Sequence, residues 1–276
     1  MIRQLLFLLV AFLSMLAVTT FTSCGDDVEE NGYKEGAAPI VNGKRLVKIN
    51  EQEIGYNADG QIVRITSRYN DGTIYDTSYS YELYRIVISP YDDIYYLTNG
   101  RITSCKYGFY LADEEKSTEA TATYEYDNWG YIKTTTHPLS VVDDEMETYD
   151  TKWKDGNIQK ITRTYEDSIE EITYTYTSHA NNIPPLFYEF PLMDNMLEWQ
   201  GYFGKRCKNL PATQIRILYG IENNSRVVGS KETHNYNYTI EKGLVTNIKD
   251  VCIYEDNTFS TPRTWTREFL YKLEWQ

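Results

Sequence analysis

The sequence is poor in the side chains on which most catalytic and metal chemistry depends. It has only three histidines, His137, His179 and His234, and four cysteines. No H-E-x-x-H pair, no Gly-x-Ser-x-Gly nucleophile elbow and no glycine-rich phosphate loop occurs in it. His137 stands before Pro138 and His179 beside Asn181-Asn182, which suggests loop positions for these two, and all three histidines read as solvent-exposed or capping. Apart from Cys24, the cysteines are Cys105, Cys207 and Cys252, an odd set without metal-ligand spacing. They read as small buried apolar residues, and whether two of them pair is open at this level. Nothing here asks for a cofactor or a metal, and the chain is expected not to be an enzyme.

Positive charge is scarce as well. Lys and Arg number 27 against 40 Asp and Glu, a net charge of −13. Phosphate neutralisation needs clustered basic residues, so nucleic acid is excluded as a partner, and docking on anionic lipid through a basic patch is disfavoured. The acids are plentiful but poorly arranged for chemistry. Asp92-Asp93, Asp113-Glu114-Glu115, Asp143-Asp144-Glu145 and Glu170-Glu171 are adjacent pairs and runs, whereas a glycosidase needs two carboxylates converging across a cleft. Strand neighbours point to opposite faces, so these acids read as solvated surface. Asn57-x-Asp59-Gly60 and Asn70-Asp71-Gly72 echo part of a calcium loop but lack its distal Glu, and turn chemistry explains them.

What is present at the N-terminus sets the compartment. A single basic residue, Arg3, precedes an apolar stretch over residues 5–18, and Phe21-Thr22-Ser23 leads to Cys24. An apolar run of about 7–15 residues followed by small residues is a secretory leader rather than a span. A Cys at the cleavage point resembles a bacterial lipobox, with Phe21 in place of the usual aliphatic residue. Residues 1–23 are therefore expected to be removed and Cys24 to be acylated. Each buried CH₂ contributes about 0.8 kcal/mol, so two or three acyl chains hold a protein to a membrane. Residues 24–42 begin with an acidic, glycine-containing run that cannot bury enough surface to order itself and reads as a flexible tether. Acids just behind the lipidated Cys also resemble the signal that sends Bacteroidetes lipoproteins to the cell surface. The expected location is the outer membrane, facing outward, with the periplasmic side as the alternative.

Residues 43–276 read as one all-β domain. Tyr is abundant, 26 residues against 9 Phe and 5 Trp, and it falls at period two in Tyr79/Tyr81, Tyr124/Tyr126, Tyr174/Tyr176 and Tyr236/Tyr238. Period two is the strand period. Turn pairs such as Asn42-Gly43, Asp59-Gly60, Asn99-Gly100 and Asp155-Gly156 supply the positive φ that tight hairpins need. Gly72, Gly100, Gly130 and Gly156 recur about every 28 residues, so the repeating unit is a hairpin. The pattern breaks over 183–204, where Pro191, Leu192, Met193, Met196, Leu197, Trp199 and Gly201 predict one short helix near 191–200. An open meander of this length leaves two edges exposed and closure removes them. The expected fold is a many-stranded antiparallel meander of hairpins, closed or rolled into a barrel. If functional residues exist, the break at 183–210 is where they are expected.

The succession YNADGQIVRI, YYLTNGRI, YEYDNWGYI, KWKDGNIQKI, YTYTSHANNIP and FGKRCKNLP resembles a family of Bacteroidetes lipoproteins known as a domain of unknown function with a porin-like, β-barrel fold. The likeness runs over about residues 43–273 and implies a fold and an envelope location. It carries over no binding or catalytic residue. The units are less similar to the tyrosine-aspartate repeats of large toxin shells.

For function, the tryptophans carry the argument. Trp129, Trp153, Trp199 and Trp265 lie beside turns or strand ends, where an indole can stack on a sugar ring or equally cover a core or a barrel mouth. Asp167-Ser168-Ile169 resembles an O-glycosylation acceptor at Ser168. The reading is a lipid-anchored, non-enzymatic binding or interaction scaffold, with a glycan or another envelope protein as partner. One alternative is an outer-membrane pore or transport component, which needs an apolar outward band about 25 Å tall. A glycan hydrolase is a weaker alternative.

Overall fold

The computed structural model describes residues 36–69, 71–110, 117–138, 146–164, 168–186, 193–222, 225–257, 261 and 263–276. The leader, Cys24 and the start of the tether lie outside the described residues. Sixteen strands close into one antiparallel barrel in strict chain order. They are β1 (Leu46–Ile49), β2 (Gln52–Tyr56), β3 (Ile62–Arg68), β4 (Ile74–Tyr81), β5 (Arg85–Ser89), β6 (Asp93–Thr98), β7 (Arg101–Tyr110) and β8 (Ser117–Tyr126). The second half comprises β9 (Ile132–Pro138), β10 (Met146–Lys154), β11 (Asn157–Thr164), β12 (Ser168–Ala180), β13 (Asn209–Glu222), β14 (Ser225–Glu241), β15 (Leu244–Asp256) and β16 (Arg263–Trp275). Closure is made by β1 on β16, with Leu46 opposite Trp275 and Ile49 opposite Leu273. The expected edges are gone.

An antiparallel meander places its connections alternately at two ends, and here the ends differ. One end carries the tight turns that follow the even-numbered strands. Asn99-Gly100 and Asp155-Gly156 take φ of 51° and 77°, and 53° and 77°, the paired positive values of a two-residue hairpin. The other end carries the connections that follow the odd-numbered strands and forms the mouth.

The tyrosine pairs explain how the turn end is held. The second aromatic of each pair sits at the end of an even strand and donates to a carbonyl at the start of the strand before it. Tyr81 donates to Ile62 (2.6 Å), Tyr126 to Ile102 (2.6 Å), Tyr176 to Ile158 (2.7 Å) and Tyr238 to Pro211 (2.7 Å). Trp153 and Trp275 do the same with their indole N–H, to Ile132 (2.7 Å) and Val245 (2.8 Å). The first aromatic of each pair lies one step further along the inner face and is buried: Tyr79, Tyr124, Tyr174 and Tyr236.

The described residues 183–186 and 193–208, within the break in the pattern, plug that same end. The helix α1 spans Asn195–Trp199, shorter and later than expected, because Asp194 rather than Pro191 caps it, accepting from the N–H groups of Met196 and Leu197. Pro191 itself lies outside the described residues. Leu197 and Trp199 are fully buried, and Phe203 meets Tyr124 and Tyr95 edge-on at 5.0 and 6.0 Å. The plug also satisfies backbone that the strand bulges leave unpaired. The Ile62 N–H donates to Gln200 Oε1 (3.0 Å), that of Ile102 to the Tyr202 carbonyl (2.9 Å) and that of Ile158 to Cys207 Sγ (3.3 Å). Cys105, Cys207 and Cys252 are all buried, and none of them is joined to another in a disulfide.

The plug buries one group whose charge state is set by its place. Burial lifts the Glu198 carboxyl to about 8, with Arg206 pulling the other way. A carboxyl raised in the folded state stabilises fully below its unfolded value of 4.5 and loses that contribution as pH rises through about 8. Glu198→Gln should therefore be less pH-dependent than the wild type between pH 5 and 8, gaining on it across that window and levelling off above about pH 8. Urea midpoints at pH 5, 7 and 9 check this, and equal slopes for the two proteins would refute it.

The wall separates two polarities. Along β12, Glu170, Ile172 and Tyr174 are buried while Thr173 and Thr175 are exposed, and the same alternation runs around the barrel. Ion pairs bridge neighbouring strands on the outer face: Arg64 with Asp76 (2.5 Å), Lys106 with Glu119 (3.6 Å), Lys231 with Glu255 (2.8 Å) and Lys249 with Glu268 (2.9 Å). Glu171 takes both Lys160 (2.7 Å) and Arg226 (2.8 Å).

Candidate functional site

His137 and His234 correct the expectation that the histidines are exposed or capping, and His137 also lies on a strand rather than in the expected loop. Only His179 is exposed, at the end of β12. His137 and His234 lie on β9 and β14 with side chains 13% and 14% exposed on the inner wall. The same correction applies to Glu170, buried rather than solvated as an adjacent acid pair had suggested. All three share the inward phase of their strands with buried apolar or aromatic residues.

Together with five other residues they form an unbroken line of alternating charge across seven strands. His137 Nε2 lies 2.7 Å from Glu147 Oε2, and Glu147 Oε1 receives Arg163 Nε. Arg163 reaches Glu170 (3.5 Å), Glu170 Oε1 lies 2.6 Å from Arg216 Nε, and Arg216 reaches Glu232 Oε2 (3.7 Å). Glu232 Oε1 lies 3.4 Å from His234 Nε2, and His234 Nδ1 is 2.8 Å from Asp250 Oδ2. Glu147 is fully buried. Charges removed from water persist only when partnered, and the alternation gives each group between the two ends of the line, His137 and Asp250, a partner on either side. The opposite wall, β4 to β8, is different: Tyr79, Tyr95, Tyr107, Tyr124 and Cys105 are buried there.

At its β14–β15 end the line opens into a cavity of about 280 Å³, lined by Gln214, Arg216, Glu232, His234, Tyr236, Asp250, Phe269 and Tyr271 with Leu186 from the plug segment. Its electrostatics are strongly poised. The bond to His234 is the largest influence on Glu232 and draws its carboxyl down to about 2, against desolvation. Burial acts to lower His234, but Asp250 and Glu232 together outweigh it and hold the imidazolium up to about 9. Burial and the neighbouring Glu232 push the Cys252 thiol up to about 12, and its Sγ donates to Glu232 Oε1 at 3.3 Å. Tyr236 donates to Gln214 Oε1 (2.8 Å). The cavity thus offers fixed donors and acceptors beside the rings of Phe269 and Tyr271.

The tryptophans singled out from the sequence are not brought together. Trp129 is exposed in the β8–β9 turn at the plugged end, and Trp199 is in the core. Trp153 is half-buried, tilted on Tyr131 with ring centres 4.5 Å apart and its N–H engaged. Trp265 stacks on Tyr254 at 4.4 Å toward the mouth. Ser168 opens β12 opposite Gly220 and is half-buried; Asp167 lies outside the described residues.

These features define a class: a closed sixteen-strand barrel, plugged at one end, with charge inside and ion pairs outside. Solved structures share its fold. A porin-like protein from Bacteroides uniformis ATCC 8492 is similar at a TM-score of 0.56 and 19% identity, over 82% of this chain and 90% of that one. A porin-like protein from Bacteroides vulgatus ATCC 8482 is similar at a TM-score of 0.55 and 12% identity, over 83% of this chain and 97% of that one. No family model matches the chain and no curated protein does. Similarity at this identity establishes the porin-like fold that the sequence resemblance implied. Among the described residues no helix is long and apolar enough to cross a membrane, which does not bear on crossing by strands.

Proposed function

We propose that the protein is a lipid-anchored envelope protein whose barrel stands in water and binds a small polar ligand inside its lumen, without turning it over. The outer wall carries the reading. A Lys or Arg facing lipid costs about 2–4 kcal/mol at the bilayer midplane. Lys106, Lys160, Arg64, Lys231 and Lys249 are spread over the outward faces of β3, β7, β11, β14 and β15. Among the described residues these cations interrupt the apolar band about 25 Å tall that a spanning barrel needs. A pore also needs two open ends, and the described residues 193–208 fill one. The acyl chains on Cys24 then supply the membrane attachment that the wall does not.

The ligand class follows from the cavity. Paired carboxylates and cations beside exposed aromatic edges suit a hydroxyl-rich molecule with one apolar face, and a glycan fragment has that chemistry. Among the described residues of the cavity the carboxylates are already engaged by His234 and Arg216, which supports binding over hydrolysis.

Residues 25–276, produced without the anchor, are expected to be monodisperse and β-rich in detergent-free buffer. Solubility only in detergent would overturn the reading in favour of the spanning barrel. Cys24→Ala should move the full chain from the membrane to the soluble fraction. A glycan array probed with the soluble protein tests the ligand, and turnover of any bound glycan would favour the hydrolase.

A further inference from the structure

We infer that Glu232, His234 and Cys252 form a binding site for a divalent cation of the zinc type on the inner wall of the barrel. The three residues lie on the inward face of two paired strands. His234 and Cys252 are direct partners across the β14–β15 ladder, and Glu232 is the preceding inward position on β14. Their ligand atoms all lie within 4.8 Å of one another. Two of the three separations have the length of a tetrahedral edge: Glu232 Oε1 is 3.4 Å from His234 Nε2 and 3.3 Å from Cys252 Sγ. Zinc at about 2.0–2.3 Å from nitrogen, oxygen and sulfur ligands sets neighbouring ligand atoms about 3.4 Å apart.

The surroundings are those of a metal site as well. Asp250 engages His234 through Nδ1 (2.8 Å), so Nε2 is the nitrogen turned toward Glu232 and Cys252. A carboxylate on the far nitrogen fixes the ring and raises its basicity as a ligand. Glu232 divides its two oxygens: Oε2 faces Arg216 at 3.7 Å, and Oε1 faces the other two ligands. The cation therefore does not displace Arg216, which keeps its 2.6 Å contact with Glu170. A mixed nitrogen, sulfur and carboxylate set favours zinc or cobalt over calcium or magnesium, which take oxygen. With three protein ligands, the fourth position belongs to water or to an oxygen of whatever occupies the cavity, which Glu232 and His234 line.

The charge balances. At neutral pH the cluster holds an imidazolium, a thiol and two carboxylates. Binding of M²⁺ releases one proton from His234 Nε2 and one from Cys252 Sγ, leaving a neutral imidazole, a thiolate and the same two carboxylates. The net charge is −1 before and after, so the buried wall takes up the ion without a new uncompensated charge. Affinity rises with pH, because both protons must leave.

The test uses the purified full-length protein, stripped with a chelator and titrated with zinc chloride and, separately, cobalt chloride. One equivalent of zinc should bind with release of two protons, read by calorimetry in buffers of differing ionisation heat. Cobalt should give a thiolate-to-metal charge-transfer band. Cys252→Ser should abolish that band and weaken zinc binding by at least about 100-fold. Asp250→Asn, which leaves all three ligands in place and removes only the carboxylate behind His234, should weaken it by about 10–100-fold. Cys105→Ser, on the opposite wall, should leave both unchanged. Absence of stoichiometric zinc binding by the wild type overturns the inference, whatever the variants do. So does a cobalt band that survives Cys252→Ser. The proposed glycan binding stands or falls separately, on the array.

Discussion

Arg163→Met is expected to lower the free energy of unfolding by about 3–5 kcal/mol, the cost of stranding a buried charge. Arg163 is the link between Glu147, which is fully buried, and Glu170, which is nearly so. Met fills a similar volume and keeps an apolar stem over Tyr149, whose ring the guanidinium now covers at 5.1 Å. The loss would therefore report charge rather than packing. Two checks separate the causes. Lowering the pH should return part of the lost stability, because the stranded carboxyls can then take up protons. Adding Glu147→Gln should recover part of it at neutral pH, a coupling that a double-mutant cycle reads directly. Urea unfolding at pH 7 and 5 makes both measurements, and a loss below 1 kcal/mol at pH 7 would mean that the charged line is dispensable to the fold.

The second large effect is expected at the plug. Trp199→Ala should cost about 3–5 kcal/mol, as removal of a fully buried indole does. Trp199 is fully buried on α1 beside Leu197 and Met196. The loss should be concentrated at the closed end. The amides of Ile62, Ile102 and Ile158 donate into the plug rather than into a neighbouring strand, so their hydrogen exchange should accelerate more than that of the β14–β15 ladder. Uniform acceleration across the barrel would instead mean that plug and wall unfold as one cooperative unit.

The wall was legible from the sequence because its rules are local. Strand period, Asn-Gly and Asp-Gly turns and the tyrosine pairs gave the hairpins, and the cost of open edges gave closure. The long strands that the alternation predicts at 213–219, 226–240, 244–256 and 263–274 fall within a few residues of β13 to β16. The number of strands and the sealing of one end were not legible, since both depend on contacts between residues far apart in sequence. The charged line was legible in principle. Tyr236/Tyr238 fixes the inward phase of β14, and stepping back by two reaches His234 and then Glu232; Tyr174/Tyr176 leads back in the same way to Glu170. The expectation that charge belongs on the outside hid the pattern. A strand in which the tyrosine phase runs into an acid or a histidine marks a polar interior, and that rule is general for closed sheets.

One consequence of the aromatic bonds at strand ends concerns how such barrels are assembled. Each bond, from Tyr81 to Ile62 or from Tyr176 to Ile158, is made between two strands adjacent in sequence. A hairpin thus carries its own fastening and needs nothing from hairpins further along the chain. Duplication or loss of one would leave the others fastened and change only the circumference. What limits the circumference is the plug, whose side chains must still reach the starts of β3, β7 and β11 at once. The hairpin sets the height of the vessel, and the plug sets its girth.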